Sequence, residues 1–346
     1  MRFNLTSISE RLVRIHLVGF VAILTFLVYT SQVSANSQTH LTWPAPPQQA
    51  RITLVGEISS AEDAGITISK FKRFIIRLLG GDLGEGKLLR PTSIFVGNDG
   101  TMYVTDQAFR GVHIFNAKGN KYSSIKSGGS RQLRSPVDIV VGSNGNLYIS
   151  DPELGAVFVY DSEYNFLFTI KGYFARPTGL AWKDNRLYVV DTALHKIFIL
   201  DPNGVLLHEI GGRGAEAGKF NFPVYLTAGE QLYVNDALNF RVQLVDERSG
   251  ASRAFGKQGD SQGTLNRTKG IGIDSDNNIY LCDALFNVFQ IFSEEGQLLL
   301  VVGSPGTGPG EFQMPNGIYI DESDKIYVCD SLNGRIQIFQ YHKVSD

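Results

Sequence analysis

Six aspartates stand where carboxylate chemistry is conceivable: Asp106, Asp151, Asp191, Asp236, Asp283 and Asp330. Each closes a short run with a tyrosine three residues upstream, as in "MYVTD" (102–106) and "IYVCD" (326–330). Carboxylates ligate metals, or act as general acid and base, when two or three converge. The spacing argues against convergence. The tyrosines (Tyr103, Tyr148, Tyr188, Tyr233, Tyr280 and Tyr327) recur every 40–47 residues, the signature of a repeat architecture. Equivalent positions in separate repeats lie at equal radius and cannot meet on one ion. Each Asp is expected to accept hydrogen bonds from the turn that follows it, a structural role.

Other reactive types are scattered. His40, His113, His195, His208 and His342 fall in different repeat columns, so three do not meet as a zinc site needs. The segments expected to line the centre offer Asp138, Asn316, Tyr225 and Lys269, and one carboxylate makes a poor cation cage. "DSDNN" (274–278) starts like a calcium loop, but Ile279 stands where that loop needs Gly and Leu285 where it needs Glu. No nucleophile–base motif stands out, and no cofactor is expected. Cys282 and Cys329 share one repeat column. Packed sheets lie roughly 10 Å apart, whereas bridged Cα atoms sit within about 7 Å, so two separate buried thiols are expected.

The elements that must hold these residues follow from the repeat. Nine residues after each Asp falls Phe115, Tyr160, Leu200, Val245, Phe292 or Phe339, ending an alternating run such as "RIQIF" (335–339). Ten to twelve residues before each Tyr stands Pro91, Pro136, Pro177, Pro223, Thr268 or Pro315, opening a further apolar run. A turn and a fourth run follow, as in "DPNG" and "VLLHEI" (201–210). Each repeat is thus four short antiparallel strands, a to d, a propeller blade. The sixth repeat lacks strand d. "RITLVGE" (51–57) resembles a strand d, and residues 51–58 are expected to close the ring. The fold class is therefore all-β, a six-bladed β-propeller over residues 51–346.

The Pro-x-Gly opening in "MPNGIYI", the "YVCD" centre and "NGRIQIF" make the chain similar to the NHL-repeat family of six-bladed propellers. The resemblance covers about residues 50–346. Some members are ubiquitin ligases or RNA binders. The ligases carry a separate zinc RING, which two strand cysteines do not supply, and no nucleic-acid partner is expected here.

Residues 1–35 read as a signal peptide: Arg2, Arg11 and Arg14, then the apolar stretch 17–29, then "VSA" before a cleavage point after Ala35. A secreted or periplasmic protein is expected, with an uncleaved membrane anchor as the alternative. Residues 36–50 read as an extended linker. Residues 62–80 form an insertion in which Phe71, Phe74, Ile75 and Leu78 follow helical spacing opposite Lys70, Lys72, Arg73 and Arg77. Such a helix over 70–79 suits packing on the propeller or peripheral membrane contact.

Charge sorts along the repeat. In a four-stranded meander the d–a and b–c connections share one end of the ring. From residue 36 onward these carry 19 basic and 9 acidic residues, against 10 and 24 elsewhere. One positive face is expected, with Arg110, Arg131, Arg134, Arg176, Arg213 and Arg241 as its candidate ligand or partner contacts, joined by Phe174 and Tyr225. The functional expectation is a non-catalytic extracytoplasmic binding or scaffold module for a protein or anionic polysaccharide. The alternative is a propeller hydrolase or lyase with a divalent metal in the central channel.

Overall fold

In the computed structural model the described residues are 41–67, 86–247, 250 and 252–343. The expected signal segment 1–35 and the expected helix over 70–79 lie outside them. Of the insertion, residues 61–65 form turns, tied by Asp63 accepting from Ser59 N and Oγ at 3.0 and 2.6 Å.

Among the described residues six antiparallel blade sheets surround a central channel, each with the strand order a-b-c-d, and two small two-stranded pairs lie in the connections. Blade 1 is Pro91–Val96, Met102–Asp106, Gly111–Asn116 and Lys121–Ile125. Blades 2 to 5 follow the same plan, with inner strands Ile139–Val141, Pro177–Lys183, Pro223–Ala228 and Thr268–Ile273. Blade 6 is Pro315–Ile320, Lys325–Asp330 and Arg335–Tyr341, and Ile52–Ile58 supplies its fourth strand, antiparallel, with Leu54 opposite Phe339. Thr42–Trp43 adds a fifth strand on Ile52–Ile58. Sequence alone reads this stretch as linker. The reason for the difference is Trp43, whose ring stacks edge-on against Phe339 at 5.8 Å, so that the strand gains an apolar anchor.

Burial explains why the repeats look as they do. The last five residues of strand b are buried in each blade, for example Leu147–Asp151 and Leu232–Asp236, because a neighbouring blade covers each of its faces. Strand d at the rim alternates, as in Phe166–Lys171. Six apolar clusters result, one between each pair of adjacent blades. The one that closes the circle joins Tyr327, Cys329 and Ile336 of blade 6 to Ile94, Val104 and Phe115 of blade 1.

The inner strands carry a further device. In five blades the pairing of strand a with strand b slips just after the opening residue, as between Pro177 and Leu180 or Pro315 and Ile318. Such bulges re-aim side chains. The second residue after the opening position, Ser93, Asp138, Gly179, Tyr225, Gly270 or Gly317, therefore meets its neighbours where the ring is narrowest. A Cβ on Gly179 would lie 2.7 Å from Tyr225 Cα, and one on Gly317 would lie 2.6 Å from the Thr92 carbonyl. Glycine lets the inner backbones touch there.

Candidate functional site

The six repeat aspartates are fully buried. Asp191 Oδ2 accepts from Ala175 N and Arg176 N at 2.7 and 2.8 Å, and its Oδ1 accepts from Ala193 N and Leu194 N. Asp106 and Asp151 repeat this pattern, so each carboxylate ties the loop entering a blade to the b–c turn of that blade. Sequence reasoning missed their partners. Gln243 and Gln337 donate to Asp236 and Asp330 and to the loop carbonyls of Lys219 and Glu311. The signal was the "Q" recurring in "RVQLV", "VFQIF" and "RIQIF". His113 takes that place in blade 1, with Nδ1 2.9 Å from the Tyr122 hydroxyl and Nε2 3.7 Å from Asp106.

Of the candidate basic residues, three come together. Arg110, Arg131 and Arg134 line one groove of about 510 Å³ with Gln132, Leu133 and Leu154. Arg110 sits at φ 55°, in the turn position that Gly155 and Gly334 occupy in other blades, a conformation that disfavours a Cβ. Arg134 reaches Glu153 at 3.5 Å with both side chains more than half exposed, a weak pair. Arg110 and Arg131 have no ion-pair partner among the described residues.

The others lie elsewhere. Arg241 donates from Nε to Asp236 at 2.8 Å and from Nη1 and Nη2 to the carbonyls of Ala215, Glu216 and Lys219. Its guanidinium is thereby a clamp on the loop before blade 4. Arg213 is exposed on that same loop, beside its bridge to Phe220. Phe174 is half-buried, edge-on to Phe198 at 5.4 Å. Arg176 is exposed at the channel mouth near Arg267 and Lys269. Burial, then those two guanidinium charges, lower the Lys269 ammonium below its usual range.

Tyr225 does not join the arginines. It is 7% exposed and crosses the channel from blade 4, its hydroxyl 3.3 Å from both the Thr92 carbonyl of blade 1 and Asn316 Oδ1 of blade 6. Beyond this bar a cavity of about 400 Å³ is lined by residues from all six inner strands. Asp138 lies at its closed end, accepting from Ser93 Oγ at 2.5 Å, Leu180 N at 2.7 Å and Ile139 N at 2.9 Å. Burial pushes its carboxyl up to about 6 against these three hydrogen bonds. Phe95, Trp182, Tyr319 and Glu322 line the cavity towards the a–b turns, and sequence reasoning did not single them out. Among the described residues no three His, Cys, Asp or Glu side chains are grouped to hold a metal ion.

Residues 270–344 match the DUF5128 family model, described as a 6-bladed beta-propeller. Among solved structures, the chain is similar to a protein of unknown function from Bacteroides thetaiotaomicron, with 17% identity and a TM-score of 0.59 over 84% of this chain and 76% of that one. An auxiliary nutrient binding protein from the same organism matches with 13% identity and a TM-score of 0.58, over 75% and 71%. Virginiamycin B lyase from Staphylococcus aureus matches with 14% identity and a TM-score of 0.56, over 73% and 95%. At these identities the likeness is one of fold, and the fold carries both binding proteins and a lyase.

Proposed function

We propose that this chain is an NHL-type propeller that works outside the cytoplasm as a non-catalytic binding module. Its basic loop face recognises an anionic protein surface or an acidic polysaccharide. The carrying observation is the groove in which Arg110, Arg131 and Arg134 converge with one weak ion pair between them. Arginines in the open, unlike the Arg241 clamp, are free to form paired hydrogen bonds with carboxylate, sulfate or phosphate groups. Arg176 and Arg213 extend the field, and the 70–79 stretch adds four basic residues of the same loop set for a peripheral membrane contact. Export would follow from the signal segment, with cleavage after Ala35.

Retention on an immobilised polyuronate and on an immobilised acidic peptide tests this. Arg131→Glu with Arg134→Glu is expected to elute from the preferred matrix at clearly lower salt than the wild type, at unchanged thermal stability. Equal elution salt for both proteins on both matrices would sink the proposal. The alternative, a metal-dependent hydrolase or lyase, requires a stoichiometric chelator-sensitive divalent ion in the purified protein, and metal analysis decides it.

A further inference from the structure

We propose that the blind half of the central channel is a second binding site, for a small organic ammonium ligand that enters from the a–b end of the ring. This site lies on the far side of the Tyr225 bar from the channel mouth that carries Arg176 and Lys269, and it does not depend on the basic face.

The shape comes first. Inner strands run from the loop-rich end towards the a–b turns, and Tyr225 closes the channel near the start of that run through its contacts with Thr92 and Asn316. The cavity beyond it, about 400 Å³, falls within the roughly 300–1,000 Å³ typical of small-molecule sites. Entry is consequently from the end that the acidic turns surround.

Aromatic side chains stand among the aliphatic and glycine lining, and contacts with neighbouring groups hold three of them in place. Trp182 stacks on Tyr148 at 5.2 Å and 27°, and a Cβ on Gly142 would lie 3.0 Å from its ring, so only glycine leaves room for it there. Phe95 lies 5.1 Å from Tyr319, whose hydroxyl donates to the Val96 carbonyl at 3.1 Å. Fixed ring faces attract cations through their quadrupoles without a further ordering cost.

The charge is of one sign. Asp138 and Glu322 are the only ionisable acids or bases with a full charge among the lining residues, and both are carboxylates. Asp138 Oδ1 accepts two hydrogen bonds and Oδ2 accepts one, from Leu180 N, so Oδ2 retains an acceptor position. Glu322 is exposed at the rim and has no ion-pair partner among the described residues. The carboxyl of Asp138 titrates high because it is buried without a cation, and an ammonium group in the cavity supplies one. Two separated carboxylates among aliphatic and aromatic side chains suit a cation with apolar substituents rather than a bare metal ion, which needs several oxygen ligands at once.

Choline and its uncharged carbon isostere 3,3-dimethylbutan-1-ol are the probes, titrated by calorimetry into the full chain. Choline is expected to bind saturably and the isostere at least about tenfold more weakly, as a desolvated cation–π contact implies. Asp138→Asn and Glu322→Gln are each expected to weaken choline by about threefold or more, while Arg131→Glu with Arg134→Glu leaves it unchanged. Glu322 is at the exposed rim, so its substitution spares the fold and keeps the test valid if Asp138→Asn does not accumulate. Absence of saturable choline binding, equal binding of the two probes, or choline affinity indifferent to Glu322→Gln would each overturn the site and leave a water-filled channel.

Discussion

Asp138 is the residue at which local chemistry and the stability of the whole ring are most directly joined. Its carboxyl links three blades: its own, Ser93 of blade 1 and Leu180 of blade 3. Ser93, the Tyr225 phenol and the Cys329 thiol surround it, and burial raises both of those titratable neighbours, so they stay neutral. The fold holds the Asp138 proton to about 6, whereas an unfolded chain releases it near 3.8. Raised in the fold, this acid contributes its stability fully below pH 4, loses it as pH rises to about 6, and contributes none above. The whole effect is about 3 kcal/mol, at 1.36 kcal/mol per unit. Urea midpoints of wild type and Asp138→Asn at pH 4 and pH 7.5 measure it. The wild-type advantage should shrink by a large part of that amount at the higher pH, and a constant difference refutes the linkage.

Two kinds of element hold the ring: blades that repeat, and a seam that does not. The seam is Ile52–Ile58 on Arg335–Tyr341, reinforced by Thr42–Trp43 and by Arg335, which donates to Asp330 at 2.8 Å and to Glu57 of the closing strand at 3.1 Å. Deleting residues 36–58 removes both added strands and the Glu57 contact and bares the edge of Arg335–Tyr341, an open template for pairing. The truncated chain is expected to lose several kcal/mol and to self-associate, read by denaturant midpoint and light scattering. An unchanged midpoint in a monomer removes this account. The blades were legible because one strand pattern recurs six times in register, and the seam was legible because one copy lacks a strand that the N-terminal side supplies. Thr42–Trp43 was not, since two residues in a Pro-rich stretch carry no periodicity, and only the neighbouring Phe339 ring makes them a strand. The candidate site divides the same way. Arg110, Arg131 and Arg134 could be gathered from topology, because topology alone sends their loops to one end. Tyr225 was legible as a residue of an inner strand but not as a bar across the channel instead of a contact of the basic face, because that turn depends on the bulge after Pro223 and on the glycines opposite. Phe95, Trp182 and Tyr319 come from repeats far apart in sequence and meet only through the ring.

At the scale of the whole molecule, the two thiols report on closure. Cys282 packs between blades 5 and 6, and Cys329 between blades 6 and 1, both fully buried. Burial raises each thiol well above its usual range, which suppresses the reactive thiolate. Neither should react with a thiol reagent in the native protein over minutes, and both should react in denaturant. Because they flank one blade, slow native labelling should proceed at one shared rate if blade 6 leaves the ring as a unit. Two rates differing by more than about tenfold would mean that the two interfaces open separately, a gap of about 1.4 kcal/mol between them.

The stitching of blade 6 from both sides of the sequence also sets an order in time. Ile52 pairs opposite Tyr341. During synthesis at about 5–20 residues per second, roughly 15–60 s separate these two residues as they emerge. Blades 1 to 5 can form in that interval, but an early strand must wait without its partner until Arg335–Tyr341 arrives. The waiting segment, "ITLVGEI", is β-prone and apolar on alternate positions. A nascent chain of this protein is therefore most open to wrong pairing at its beginning, and a holdase that shields residues 52–58 would assist its folding more than one that shields any later strand.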